Sequence, residues 1–484
     1  MNISSLNEPQ FRRHLAALLI VLLSTAVTCH LLISVAAGEW GTVALWGMGL
    51  ALLGWVFFAR EAWWLLLPMA IGFGGMFYFG FKVYTHEIML VVCFLPLLPQ
   101  LAAGRNLEVR RKKLPAAFYA LLAYLGMHML VSGYIAITDG ESIGSIIRVY
   151  VAGLWPLIFA IPFYSMGSSR YLRRALTLFL WAAMIRSILG VIGYYFPQVI
   201  MPVMGFILPG LYSEGMELRE SGLWMVYLGF TLFSLSPRWI SKTFYALLIA
   251  AAGWFVVLGG GRGSLAMAVG ISIVWATFEK KFISLAIFVA GLMALLVTFN
   301  SDPDLIYQFP KRLQRTLSVF VLKSPYQTVH VMLETSDQWH YELMQRGYNK
   351  WVKTPISFLL GNPVLPVQNA SDFGRKDFYD KMQMAEDLAS YESGLWTVLA
   401  TLGLVGMVLY IIVFSYFLGP VIRSLWHNQI CDPAQAFAFM AVASMVIWVG
   451  FCWGVGHFPS QQLMLAVIAR AAYDDQQEQA PCGS

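Results

Sequence analysis

The sequence predicts an all-α polytopic membrane protein with about fourteen transmembrane helices and one large extramembrane loop. Three observations predict it. Of 484 residues, 58% are hydrophobic and 12% charged, too apolar for a soluble globular domain and incompatible with disorder. The apolar residues form continuous runs rather than alternating patterns, which excludes a β-barrel. One long polar stretch, Asn300 to Ser393, interrupts them, whereas every other connection is short. Roughly 280 residues lie in the apolar runs, which at about 20 residues per crossing gives about fourteen spans.

In chain order the spans read as 14–36, 41–59, 63–81, 86–103, 115–136, 147–166, 175–196, 221–236, 242–258, 264–279, 282–299, 394–418, 435–455 and 460–473. The first follows Arg12 and Arg13 and lacks a small-residue cleavage pattern, so it reads as a retained signal anchor. Basic residues then mark every second connection. Arg60 follows span two, and the cluster Arg105, Arg110, Arg111, Lys112 and Lys113 follows span four. Arg170, Arg173 and Arg174 follow span six, Arg238 and Lys242 follow span eight, Lys280 and Lys281 span ten, and Arg423 span twelve. By the positive-inside rule that side is the cytoplasm, with both termini on it. The connections Lys82–Glu87, Ile137–Arg148, Pro197–Glu220 and Gly259–Gly263 and the long stretch face outward. The chain thus divides into helices 1–11 (1–299), a cap (300–393), helices 12–14 (394–473) and a cytoplasmic tail (474–484).

Cys29, Cys93 and Cys452, of five cysteines, lie in apolar runs, and none lies in the long stretch, so neither a disulfide framework nor a cysteine metal site is available there. No internal repeat is visible, which counts against transporters built from repeated halves. The cytoplasmic loops are too short for a nucleotide-binding domain, and no G-x-x-x-x-G-K-[ST] occurs. Histidines with metal spacing are also missing, so no metal or cofactor is expected.

Charge on the outward connections gathers at three places: Glu214, Glu217, Arg219 and Glu220; Gly259 to Ser264; and Glu386, Asp387, Tyr391 and Glu392. Arg262 follows three glycines and precedes a helix expected to open at Ser264–Ala266, so guanidinium, free backbone N–H groups and the positive helix end converge on a place that suits an anion. The plainer alternative is a tight hairpin with a snorkelling arginine. Arg219 has a surface-cluster alternative with Glu217 and Glu220 as its partners. Arg148 at the outer end of one span and Arg186 near the middle of another are costly unless they face a polar cavity or a partner. Glu392 is either a proton acceptor, if its pKa is raised, or an acidic residue favoured at a helix N-terminus. In the long stretch, Trp339, His340, Tyr341, Glu342, Arg346, Tyr348 and Trp351 mix aromatic and charged groups in a way that suits sugar rings, and equally a small cap packing on itself.

Four motifs then fall in order on one side of the membrane. They are Arg219-Glu220-Ser221-Gly222, Gly260-Gly261-Arg262-Gly263-Ser264, Arg346-Gly347-Tyr348-Asn349-Lys350-Trp351 with Pro355 and Leu360-Gly361-Asn362-Pro363, and Tyr391-Glu392-Ser393-Gly394-Leu395-Trp396 with Leu402-Gly403-Leu404-Val405-Gly406. Together they resemble the O-antigen ligase and polymerase superfamily of bacterial envelope enzymes, which includes the Wzy-type polysaccharide polymerases, over Arg219 to about Gly406. Aligned on Gly403, ligases of this superfamily carry a His-Asn pair where this chain has Glu392-Ser393, which favours a polymerase.

The resemblance implies a GT-C-like, metal-independent, inverting glycosyltransferase of the bacterial inner membrane, with the long stretch in the periplasm. Its donor would be a polyprenyl-diphosphate-linked oligosaccharide held in the lipid bilayer. Arg262 and Arg219 would meet the diphosphate and Glu392 would take the proton of the attacking hydroxyl. Arg346, Tyr348, Trp351, His340 and Tyr341 would contact the glycan, with Arg148 and Arg186 as further candidates. Chain-length regulators or export proteins are candidate partners, and no nucleic acid is expected. A ligase acting on a different acceptor is the nearest alternative, and a lipid-linked oligosaccharide flippase is an alternative of another class.

Overall fold

In hydrocarbon each backbone N–H and C=O must be satisfied within the protein, and apolar runs of this length meet that demand by closing into helices. The computed structural model describes residues 54–55, 62–74, 76–78, 82–97, 114–139, 143–166, 169–196, 198, 216–259, 262–321, 327–365, 382, 385–386, 389–450 and 458–479. Two units are distinguished, Met1–Trp63 with Phe94–Arg105, and Trp64–Cys93 with Asn106–Ser484. In the first, the rings of Trp63 and Phe94 meet at 5.8 Å.

The second unit is almost entirely helical. Its helices are α1 (Leu66–Phe73), α2 (Thr85–Phe94, whose last residue falls in the first unit), α3 (Ala116–Thr138), α4 (Gly144–Met166), α5 (Leu172–Tyr195), α6 (Met216–Leu235), α7 (Trp239–Leu258), α8 (Arg262–Phe278) and α9 (Phe282–Ser301). In the long stretch follow α10 (Lys311–Leu317), α11 (Gln327–Val352) and α12 (Pro355–Leu360), and after it α13 (Gly394–Asn428), α14 (Pro433–Gly450) and α15 (Ser460–Gln479). Among the described residues, five helices are long and apolar enough to cross a membrane: α3, α5, α7, α9 and α13. Shorter apolar helices occupy Thr85–Phe94, Val149–Tyr164, Arg262–Phe278 and Pro433–Val449. The chain is therefore a helical protein with membrane-spanning character.

Three expected spans take a different form. Span 63–81 is not one helix: α1 stops at Phe73, Gly74 turns at φ 63°, and β1 (Met76–Tyr78) pairs antiparallel with β2 (Lys82–Tyr84), Phe77 opposite Val83. The glycine and the aromatic, β-branched residues after it favour a hairpin over a continued helix. Span 460–473 continues as helix to Gln479, six residues into the expected tail. Its modest hydropathy has a physical reason, because α15 is enclosed by α4, α13 and α14 and Leu463 through Ala469 are fully buried. Protein partners, not lipid, therefore receive its polar groups. Arg470 Nε donates to Asp474 Oδ1 at 2.8 Å and Arg470 Nη1 to the Tyr416 carbonyl at 2.9 Å, while Tyr164 donates to Asp474 Oδ2 at 2.9 Å. Span 394–418 is the front of a longer helix that runs to Asn428 and is broken at Gly403.

The break at Gly403 (φ 65°, ψ −167°) frees carbonyls two turns into α13, and the segment after α12 caps them. Asn362 N donates to the Ala400 and Thr401 carbonyls at 3.0 and 3.1 Å, and Asn362 Nδ2 to Ala400 at 2.8 Å. The Tyr124 hydroxyl of α3 lies 2.9 Å from the Leu402 carbonyl and 3.0 Å from that of Leu360. Gly361 has φ 80°, and a Cβ at Gly361 or Gly403 would overlap backbone atoms of the opposite segment.

At the other end of the long stretch, α10 folds back on the ends of α6 and α7. Leu313 packs with Leu218 and Leu258, and Thr316 Oγ1 donates to the Val257 carbonyl at 3.0 Å. Gly361→Ala and Gly403→Ala should each cost roughly 2–4 kcal/mol, through a positive φ and a backbone overlap together. Gly291→Ala, with open space around its α-carbon on α9, should be neutral or better. Thermal unfolding of the purified protein in detergent reads the difference, and an unshifted midpoint for Gly361→Ala would contradict the close approach.

Candidate functional site

Ser390 to Gly394 join the long stretch to α13, and the turn is held on both flanks. Tyr391 is buried against Gly347 of α11, where a Cβ would come within 2.8 Å of its ring. Ser393 Oγ donates to the Val449 carbonyl at 2.9 Å, and Gly394 lies so close to Trp448 that a side chain would overlap the indole. Between these anchors Glu392 adopts φ 53°, a conformation uncommon for a residue with a side chain.

That conformation turns the carboxylate toward α11 rather than onto the N-terminus of α13. Oε1 accepts from Trp339 Nε1 at 2.9 Å, and Oε2 forms a short contact with His340 Nδ1. Glu392 therefore does not act as a simple helix-end acid. The His340 side chain is 30% exposed and that of Glu392 14%, so the imidazole is the more accessible member. With the Nδ1 proton facing the carboxylate, Nε2 is the acceptor nitrogen of the neutral ring.

The other loop residues divide between packing and exposure. Tyr348 and Trp351 pack against Trp396 at the start of α13, at 5.5 and 6.1 Å, and Trp351 stacks on Phe358 at 4.8 Å. Trp351 Nε1 also donates to the Phe358 carbonyl at 2.9 Å. These two rings fix the loop helices to α13, although Tyr348 keeps an exposed edge. Arg346 Nη1 pairs with Glu386 Oε2 at 3.2 Å, and Lys350 approaches the same carboxylate at 4.0 Å. Tyr341 is exposed, on the same helix as His340.

Among the arginines, Arg219 lies in the first turn of α6, half-buried, and Gly259 at the end of α7 packs directly on its backbone. The α7–α8 hairpin and the start of α6 thus meet at one place. Arg262 itself opens α8, two residues earlier than the sequence suggested, and is half-buried. Gly260 and Gly261 lie outside the described residues. Ser264 is buried, and its hydroxyl has no hydrogen-bond partner.

Arg186 is buried in α5 and donates through Nη2 to Glu220 Oε2 at 3.1 Å, while Nη1 lies against Gly74 without a hydrogen bond. One of the two acidic neighbours expected to satisfy Arg219, Glu220, is therefore paired with Arg186. Arg148 belongs to α4, and its side chain lies outside the described residues, as do Glu214, Asp387 and the Glu217 side chain. Among the described residues, no three His, Cys, Asp or Glu side chains group as metal ligands.

Sequence reasoning missed the role of Trp339 and the direct link between Glu392 and His340. The two partners stand 52 residues apart, and only the fold of α11 back onto the turn brings them together. The adjacent Trp339-His340 pair, about two turns before Arg346, was the visible signal. A double-mutant cycle of His340→Ala and Glu392→Gln, read as thermal stability, should show coupling of about 1–2 kcal/mol. Additive effects would mean that the two side chains do not interact.

No protein-family model matches this chain, and no curated protein matches it.

Proposed function

We propose that this chain is a bacterial inner-membrane polysaccharide polymerase that joins polyprenyl-diphosphate-linked oligosaccharide repeat units at the periplasmic face. In this reading it crosses the membrane about fourteen times with both termini in the cytoplasm. The observation that carries it is the Glu392–His340 pair at the junction of the long stretch and α13. It supplies a proton acceptor where an outward-facing glycan and a membrane-held lipid carrier can both reach.

In the reaction, an acceptor hydroxyl oxygen attacks the anomeric carbon of the donor. The bond from that carbon to the diphosphate oxygen breaks, its electron pair leaves with the diphosphate, and attack from the opposite side inverts the centre. The hydroxyl proton passes to His340 Nε2, and Glu392 stabilises the imidazolium through Nδ1. Glu392 thus acts through His340 rather than as the terminal base.

Charge developing on the diphosphate calls for positioned cations and donors. Arg262, the N-terminal turn of α8 and the buried Ser264 hydroxyl fit that demand, with Arg219 beside the same hairpin. Exposed Tyr341 and the rim of Tyr348 suit glycan stacking. Arg346 and Arg186, each held by a carboxylate, serve the frame of the site rather than its chemistry.

Purified protein incubated with lipid-linked repeat units should give a ladder of lipid-linked oligomers. Transfer only to a different acceptor would mean a ligase, and movement of the carrier across vesicles without new bonds a flippase. His340→Ala should lower turnover by about 10²–10⁴-fold with donor binding little changed, and Arg262→Ala should abolish chain extension at normal protein level. Full polymer length in either variant would overturn that residue's role.

A further inference from the structure

We infer that residues 355–365, placed by sequence in the extramembrane cap, return into the bilayer as a re-entrant segment whose apolar face meets lipid hydrocarbon. Two helices report its depth independently. Along α13 the descent begins where Trp351 packs on Trp396, and it ends where the Leu359 carbonyl and Gly361 N abut Gly403. Seven residues of helix separate those points, about 10 Å at 1.5 Å per residue.

Along α3 the return is visible. Leu360 pairs with Tyr124, whereas four residues later Val364 N donates to Ser132 Oγ at 3.0 Å. The cluster Arg105–Lys113 puts the start of α3 in the cytoplasm. Ser132 and Tyr124 then lie about 9 and 21 Å below the outer end at Thr138. The chain goes down through α12, turns at Gly361 and rises again.

Non-helical backbone at such depth needs every polar group satisfied by protein. The amides of the turn at Gly361, Asn362 and Val364 each meet that condition, and Pro363 carries no N–H. Gly361 N donates to the Ser357 carbonyl, Asn362 N to Ala400 and Thr401, and Val364 N to Ser132, while the Leu360 carbonyl receives Tyr124. The opposite face is apolar and uncovered: Ile356 is 70% exposed, Leu359 48% and Leu360 44%. It continues onto the exposed Leu404, Val405 and Val408 of α13, within a helix apolar enough to cross a membrane. An aqueous cap would have no reason to present these side chains outward at that height.

The inference rests on the membrane reading of the helices and not on glycosyl transfer, so the two fail separately. Nitroxide labels at Leu359→Cys and Ile356→Cys, in protein whose five native cysteines are replaced, are measured in phosphatidylcholine nanodiscs by power saturation. Oxygen and an aqueous nickel chelate are the relaxants. Val408→Cys is the lipid reference and Tyr341→Cys the aqueous one. Both test positions should follow Val408, with relaxation by oxygen at least several-fold above that by nickel. Nickel-dominated relaxation matching Tyr341 at a folded variant overturns the inference, and Ile356→Cys carries the test alone if Leu359→Cys does not fold.

Discussion

A backbone carbonyl that cannot reach water must find a donor in the protein, and at Gly403 that requirement organises the meeting of α3, the long stretch and α13. Breaking α13 there exposes the carbonyls of Ala400, Thr401 and Leu402. Asn362 and Tyr124 supply the donors, one from the long stretch and one from α3. Three elements distant in sequence are thereby tied at one point. Because Asn362 Nδ2 also reaches the Lys350 carbonyl at 3.2 Å, the end of α11 is tied to it as well. The helix that carries Trp339 and His340 is thus held near its C-terminal end by Asn362 on Lys350 and by Tyr391 on Gly347, and Glu392 meets it two to three turns earlier, at Trp339 and His340.

The general architecture was legible because membrane helices announce themselves by length and apolarity, and α3, α5, α7, α9 and α13 coincide with the expected spans to within a few residues at their outer ends. Legibility failed where that signal stops being about lipid. Helix α15 is polar enough to read poorly precisely because α4, α13 and α14, not acyl chains, surround it. In the region read as span 63–81, the hydropathy is high, yet Gly74 and the residues after it form a hairpin. Hydropathy measures what can be buried, not which backbone buries it.

The site divides in the same way. Arg262 beside its glycines, Arg219 before a span and Glu392 at the head of α13 were visible as charges in unlikely places. Their partners were not. Nothing in the spacing of residues shows that Glu220 pairs with Arg186, or that Glu386 pairs with Arg346. Aromatic residues misled for a related reason. Tyr348 and Trp351 have the composition of a sugar-binding surface, but the same flat faces serve as well to dock α11 and α12 on Trp396.

The conformation of Glu392 links these observations to chemistry. A non-glycine residue at φ 53° costs on the order of 1 kcal/mol, and it persists only where neighbours over-determine it. Here Tyr391 and Ser393 are each fixed in buried contacts, so the backbone has no freedom to relax and the carboxylate is delivered to Trp339 and His340. A carboxylate meant only to stabilise the α13 N-terminus would need none of this, since an extended residue one position earlier than the helix already points its side chain at the free N–H groups. In the proposed reaction, strain directed toward an imidazole on a separate element would pre-organise the proton acceptor, with the geometry set before substrate arrives. The same rigidity explains why the hydrogen bond from Trp339 belongs to the arrangement. By holding Oε1 it leaves Oε2 as the oxygen that faces His340.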